Sequence, residues 1–262
     1  MSEDIPKDAK GAAAKGARPG SAREEAAGAG FPTVASGAPD APTHIRLYGT
    51  VADSIVDGPG LRYAVFVQGC SHGCPGCHNP ESHPAEGGTL TAIDALVADI
   101  RANGLVHDVT LSGGDPFEQP EACAEVARRL KAAGYGLWAY TGYRYEDLLR
   151  QADLAEAAPA VAPSADAEDA AGIAGSADAA SKAPGGASPD QAAIRRAAAV
   201  RSLLDTVDVL VDGPFVESLK SLGLKWRGSS NQRLIDLAAT RAAGQVVEWR
   251  PPAFSLEKPS NW

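Results

Sequence analysis

Cysteine is scarce in this chain, with four in 262 residues. So few in a chain this long exclude a small scaffold held by disulfides. Basic residues are also in the minority, 24 Lys and Arg against 33 Asp and Glu, a net charge of −9. That balance is wrong for a protein that grips a phosphate backbone, which needs a basic face, so no nucleic-acid partner is expected. No run approaches the roughly 18 apolar residues of a membrane span. The opening MSEDIPKDAKGAAAKGARPG has no apolar stretch of the secretory kind, and the expectation is a cytoplasmic protein without a membrane partner. Aromatic residues make up only 6% while alanine and glycine are over-used, so part of the chain is not expected to fold. No Ser-His-Asp or Cys-His constellation stands out for nucleophilic catalysis, and no internal repeat is visible.

Two segments carry that compositional bias. Residues 1–42 are rich in Ala, Gly, Pro and mixed charge with almost no large apolar side chains. They cannot bury enough surface to offset the entropy of ordering, and a disordered tail is expected. Residues 156–190, EAAPAVAPSADAEDAAGIAGSADAASKAPGGASPD, are Ala-rich, acidic and broken by Pro and Gly. They read as a disordered insertion into one domain spanning 43–262, because strand and helix signals resume beyond them in the same rhythm.

Between these segments apolar strands alternate with amphipathic helices. HIRLYGTVADSIV (44–56) reads as an extended lead-in and RYAVFVQG (62–69) as a buried strand. TAIDALVADIRANG has helical spacing, with Thr89 or Thr91 as cap and Gly104 as stop. Then follow DVTLSGG as strand, PEACAEVARRLKAAG as helix, GLWAYTG as strand, YEDLLRQADL as helix, QAAIRRAAAVRSLLDTV as helix and DVLVDGPF as strand. Strands separated by helices imply βαβ units and a parallel sheet. In such a sheet the loops leaving the C-terminal strand ends emerge on one edge, where ligands bind. Each apolar strand here runs straight into a polar or glycine-rich signature: GCSHGCPGCHNP, SGGDP, TGY and DGPF. These four motifs are expected to meet at one site.

The first is the most informative, because Cys70, Cys74 and Cys77 occupy three of eight consecutive positions at C-x3-C-x2-C spacing. Clustered thiolates can hold zinc, with His72, His78 or His83 as a fourth ligand, in a structural knuckle of a binding module. They can also hold an iron–sulfur cluster, in an electron carrier or an enzyme. Cys123 lies at helical spacing among apolar neighbours in PEACAEVARRL and reads as a core residue. A [4Fe-4S] cluster on three thiolates would keep one iron open to a substrate or cofactor. Gly73 and Gly76 let the loop fold tightly and aim backbone N–H groups at the sulfurs.

C-x3-C-x2-C after one strand, followed by a glycine pair after the next, resembles the radical S-adenosylmethionine superfamily. VDGPGLRYAVFVQGCSHGCPGCHNPE is similar to the activating enzymes of glycyl-radical enzymes. SGGDPF, WAYTGY, LVDGPFVESLK and WRGSSNQRLID together resemble the activating proteins of anaerobic (class III) ribonucleotide reductase, over roughly 53–236 without the insertion. The resemblance implies an α/β fold of the partial, open (β/α) barrel type. It implies a [4Fe-4S] cluster on Cys70, Cys74 and Cys77, and S-adenosylmethionine bound by Gly76, Cys77, His78, Gly113, Gly114, Asp115 and Thr141. In the family the residue after the third cysteine, here His78, packs near the adenine, and the glycine pair contacts the methionine amino group. Asp115 is either an acceptor there or a helix cap. Thr141, Tyr143 and Asp212 are expected at the same edge, and Arg227 and Asn231 along a peptide approach. The implied activity is reductive cleavage of S-adenosylmethionine to a 5′-deoxyadenosyl radical that installs a glycyl radical on anaerobic ribonucleoside-triphosphate reductase, with a flavodoxin-type electron donor. Pyruvate formate-lyase as the partner, or a small-molecule substrate as in deazapurine biosynthesis, are the neighbouring alternatives.

Overall fold

The computed structural model describes residues 41–157 and 189–251. The expected tail, 1–42, and the insertion, 156–190, lie almost wholly outside them. Seven strands form one mixed sheet: β1 (His44–Ser54), β2 (Arg62–Val67), β3 (Thr89–Ala92), β4 (Asp108–Gly113), β5 (Gly136–Tyr140), β6 (Val209–Asp212) and β7 (Arg233–Asp236). The helices are α1 (Ile93–Ala102), α2 (Pro120–Ala132), α3 (Tyr145–Ala157), α4 (Pro189–Thr206) and α5 (Leu237–Ala243). The strand order is β3-β1-β2-β4-β5-β6-β7. Its centre, β2-β4-β5-β6, is parallel, as the alternating pattern requires. Both flanks turn antiparallel, β1 and β3 on one side and β7 on the other. The sheet is therefore open, with β3 and β7 as its two edges.

Three elements depart from the sequence reading. Thr89 and Thr91 do not cap a helix: both belong to β3, which pairs with His44–Leu47 of β1, and α1 starts one residue after it with Ala92 at the N-cap. The polar stretch containing Arg233–Asp236 ends in a strand, β7, that pairs with β6. Asp236 then caps α5, accepting from Ala239 N at 2.8 Å, and Gly244 closes that helix at φ 65°.

Strand parity sorts the sheet's two faces, since successive side chains point to opposite sides. Tyr63, Val65 and Val67 of β2, Val109 and Leu111 of β4, Leu137 and Ala139 of β5 and Leu210 of β6 pack under the helices in one core. That core takes Ile93, Leu96 and Ile100 from α1, Cys123, Val126 and Leu130 from α2, and Val200, Leu203 and Leu204 from α4. Each such Leu, Ile or Val contributes about 1.5–3 kcal/mol through its burial. The alternate residues face the other side, where Trp138, Val209 and Val211 pack with Trp226 and Trp249. There Arg62 lies fully buried, with Nε donating to Thr110 Oγ1 (2.7 Å) and its guanidinium 5.2 Å from the Trp138 ring.

Candidate functional site

At the C-terminal ends of β2, β4, β5 and β6 an open cleft of about 630 Å³ is lined by residues from all four expected motifs. Phe66, Ser112 and Tyr140 enter it by parity, as the last residues of their strands on the face away from the helices. Cys70, Cys74, Cys77, His78, Gly113, Gly114 and Thr141 also line it, together with Arg227.

The cysteine loop is bound to its neighbours by main-chain hydrogen bonds. Gly69 N donates to Ser82 O (2.7 Å), Cys70 N to His83 O (3.0 Å) and Asp115 N to Gly69 O (2.9 Å). Gly69, Gly73 and Gly76 take positive φ, which lets the chain turn tightly between the thiols. Gly76 itself lies outside the cleft lining; a Cβ there would stand 2.8 Å from the Glu217 carboxyl carbon. Asn79 N donates to Cys77 Sγ at 3.4 Å. Burial pushes the Cys70 thiol up to about 11, so a positive centre is needed to hold it as thiolate at neutral pH. Cys123 is wholly buried in α2 and its thiol is pushed far higher by desolvation, in keeping with a core role.

Three soft sulfurs lining the cleft, with Asp57 as the one carboxylate there among the described residues, make a donor set for iron–sulfur chemistry and a poor one for a hard cation. Among the described residues no three His, Cys, Asp or Glu side chains converge on a single metal ion. Of the three histidines, His72 is already engaged by a carboxylate. His72 Nε2 lies 2.8 Å from Asp115 Oδ2, which raises the imidazole's pKa against the opposing effect of burial. His78 faces Phe215 with ring centroids 5.8 Å apart.

The glycine pair has a cause of its own. A Cβ on Gly113, which has φ 99°, would stand 2.5 Å from Val67 N, and one on Gly114 would stand 2.2 Å from Gly69 O. The backbone approach that forbids a side chain here is that of β2 and the cysteine loop, and the peptide groups thereby exposed line the cleft. Asp115 lies beneath the cleft, with its side chain 1% exposed, and caps the 3-10 turn Pro116–Glu118 through Phe117 N (2.9 Å). Tyr143 likewise turns away: its OH donates to Glu118 Oε1 (2.9 Å) and its ring meets His72. Asp212 is buried against Arg233, whose Nε donates at 2.9 Å, and against Tyr145 N at 2.8 Å; Arg233 also grips Glu146 with two bonds of 2.9 and 2.8 Å. Asn231 donates to Pro214 O (2.8 Å) and does not line the cleft.

Sequence reasoning missed Phe66, Tyr140, Lys220 and Gln232 as lining residues. For the first two the signal was strand parity counted back from each motif. Trp226 is the one described non-glycine residue with positive φ, at 56°. Its ring packs edge-on against both Trp138 and Trp249, and its carbonyl accepts from Tyr140 OH at 2.9 Å. These contacts offset the roughly 1–2 kcal/mol that such a conformation costs.

Fold and site together define an α/β enzyme whose three-cysteine loop and glycine pair share one cleft at the C-terminal edge of a parallel sheet. The family model described as a 4Fe-4S single cluster domain matches residues 56–163 and 190–235. The anaerobic ribonucleoside-triphosphate reductase-activating protein of Salmonella typhimurium is 31% identical over 186 residues, covering 68% of this chain and 90% of that one. The pyruvate formate-lyase-activating enzyme of Clostridium pasteurianum is 36% identical over 123 residues, 42% of this chain and 50% of that one. A crystal structure of QueE from Escherichia coli aligns with TM-score 0.33 and 16% identity over 38% of this chain and 52% of that chain; a likeness that loose carries no argument. The chain belongs to the family of anaerobic ribonucleoside-triphosphate reductase-activating proteins. Among the described residues no helix is long and apolar enough to cross a membrane.

Proposed function

We propose that this protein activates an anaerobic ribonucleoside-triphosphate reductase by radical S-adenosylmethionine chemistry. The observation that carries the reading is the convergence of Cys70, Cys74 and Cys77 with the Ser112–Gly114 backbone in one cleft. When bound, a [4Fe-4S] cluster and S-adenosylmethionine supply one-electron cleavage of the sulfur to 5′-carbon bond, giving methionine and a 5′-deoxyadenosyl radical that takes a Cα hydrogen from a glycine of the reductase. Glycine suits that step because its lack of a side chain lets the backbone reach a deep site.

The chain's own residues bind and orient. Cys70, Cys74 and Cys77 would hold the cluster through their sulfurs. The peptide groups of Gly113 and Gly114 face the cleft, where their carbonyl oxygens would accept from the methionine ammonium. Gly76 and Cys77 lead the loop into His78, which with Phe215 forms an aromatic wall for the adenine. Thr141 holds the adjacent wall in place through Asp115. Lys220 and Arg227 are the basic side chains at the cleft and favour approach of a partner's peptide. A flavodoxin-type protein supplies the electron, and the setting is the cytoplasm.

The test is electron paramagnetic resonance on anaerobically reconstituted, reduced protein mixed with S-adenosylmethionine and the reductase. A glycyl-radical doublet requiring every component is expected. A cluster signal without the doublet would move the substrate to pyruvate formate-lyase or a small molecule. Zinc in place of iron on metal analysis would overturn the reading.

A further inference from the structure

The cysteine loop carries a histidine between its first two thiols, and none of the chemistry above uses it. His72 is mostly buried: its ring lies edge-on to Tyr143 at 4.4 Å, and a Cβ on Gly142 would stand 2.4 Å from its Cδ2. Its Nε2 contacts Asp115 Oδ2 at 2.8 Å. A carboxylate offers about four lone-pair sites, and those of Asp115 can be counted. Phe117 N reaches Oδ1 at 2.9 Å; the Thr141 hydroxyl lies 3.1 and 2.9 Å from the two oxygens; Gly142 N reaches Oδ2 at 2.9 Å; His72 is the fourth donor. Nothing is left over for a ligand's ammonium. The donors come from three separate segments: the cysteine loop, the turn after β4 and the turn after β5.

We propose that Asp115 and His72 are a positioning pair: a buried carboxylate–imidazole latch that fixes the cysteine loop over the strand ends, so that Asp115 acts on the cofactor through the loop and not by touching it. The latch belongs to the polypeptide alone; only its effect on the cofactor rests on the reading of Cys70, Cys74 and Cys77 as cluster ligands. The need for it follows from the loop itself. Three glycines with positive φ between residues 69 and 76 leave that segment with much conformational entropy to lose. Three thiolates that must meet one cluster have to be held to within about 0.5 Å. An anchor at His72 sits between two of them. A second tie lies beside it, where Ser71 Oγ donates to Glu118 Oε1 and Arg196 of α4 donates to Phe117 O at 2.7 Å.

The test compares His72→Phe, which keeps a ring without a donor, with His72→Gln, whose amide nitrogen can replace Nε2. Amide hydrogen exchange is measured on metal-free full-length protein over residues 69–78 and 140–143. His72→Phe is expected to speed exchange in both segments together by about ten-fold or more, the factor for losing one charge-assisted hydrogen bond, and His72→Gln to restore most of the protection. After reconstitution, His72→Phe should retain iron but give a broadened reduced-cluster spectrum that responds to S-adenosylmethionine only at higher concentration. Wild-type exchange in His72→Phe, or loosening of residues 69–78 alone, would overturn the latch. So would an Asp115→Asn protein with wild-type exchange that has lost the spectral response to S-adenosylmethionine, because Asp115 would then be touching the cofactor. If wild-type protein takes up no iron, the functional reading fails, while the metal-free exchange still decides the latch.

Discussion

Gly114→Ala separates two reasons for a glycine beside a ligand cleft. If the residue is small to admit the cofactor, the substitution should block binding and leave the cofactor-free protein as stable as before. The structure argues otherwise. The new Cβ would stand 2.2 Å from Gly69 O and 2.8 Å from Gly69 C, where ordinary contact begins at 3.4 Å, so the Gly69 carbonyl must retreat by about 1.2 Å. That oxygen accepts from Asp115 N at 2.9 Å, and the retreat breaks the bond. Overpacking of this kind costs about 1–3 kcal/mol and the lost hydrogen bond about 0.5–1.5 kcal/mol, together about 1.5–4.5 kcal/mol. For a folded portion of this size each kcal/mol lowers Tm by about 2–4 °C, so calorimetry of metal-free protein should show a drop of roughly 3–18 °C. Gly104→Ala, whose Cβ meets nothing within 4 Å, is the control and should shift stability by no more than about 0.5 kcal/mol. An unchanged Tm for Gly114→Ala, combined with lost binding of S-adenosylmethionine, would refute the packing argument.

Replacing Cys70, Cys74 or Cys77 singly by alanine should abolish iron uptake and cofactor cleavage, whereas Cys123→Ala, read by the same iron assay, should retain both at a stability loss of about 1 kcal/mol. Full iron content in any of the first three would remove that residue from the ligand set. Arg233→Met strands the buried Asp212 carboxylate; urea denaturation should report a loss of about 3–5 kcal/mol, and a loss below about 1 kcal/mol would show that the pair is not what holds β6 to β7 there. Arg233 also holds the Glu146 carboxyl down at about 2, by hydrogen bonding first. A depressed carboxyl contributes stability that is fully present above its ordinary value of 4.5 and is lost as pH falls towards 2. The acid limb of the stability curve over that window should therefore flatten in Arg233→Met, and an unaltered slope would contradict the assignment.

The order of the longer strands and helices, the cysteine loop and the meeting of four motifs at one edge were all legible in the sequence. Apolar runs of six residues and amphipathic runs of more than ten carry a period that local physics enforces, and a parallel sheet delivers its loops to one side whatever their contents. The short flanking strands were not legible. TLTA and RLID are four residues each, too brief to show a period, and they are strands only because β1 and β6 offer them unpaired edges. Site details followed the same division. Cys70, Cys74 and Cys77 announce themselves by spacing, because one loop brings them together, whereas His78 is singled out only by the family resemblance. Asp115 and Asp212 read alike as polar residues at strand ends, and only their partners tell them apart. His72 lies 43 residues from Asp115 and Arg233 lies 21 from Asp212. Phe66 and Tyr140 read as core residues and instead line the cleft, because the helices cover one face of the sheet and leave the ends of the other open. Local pattern is written in neighbouring residues and survives without the fold. Which face is covered, and which carboxylate is already spent, depends on atoms that only chain closure brings within a few ångströms.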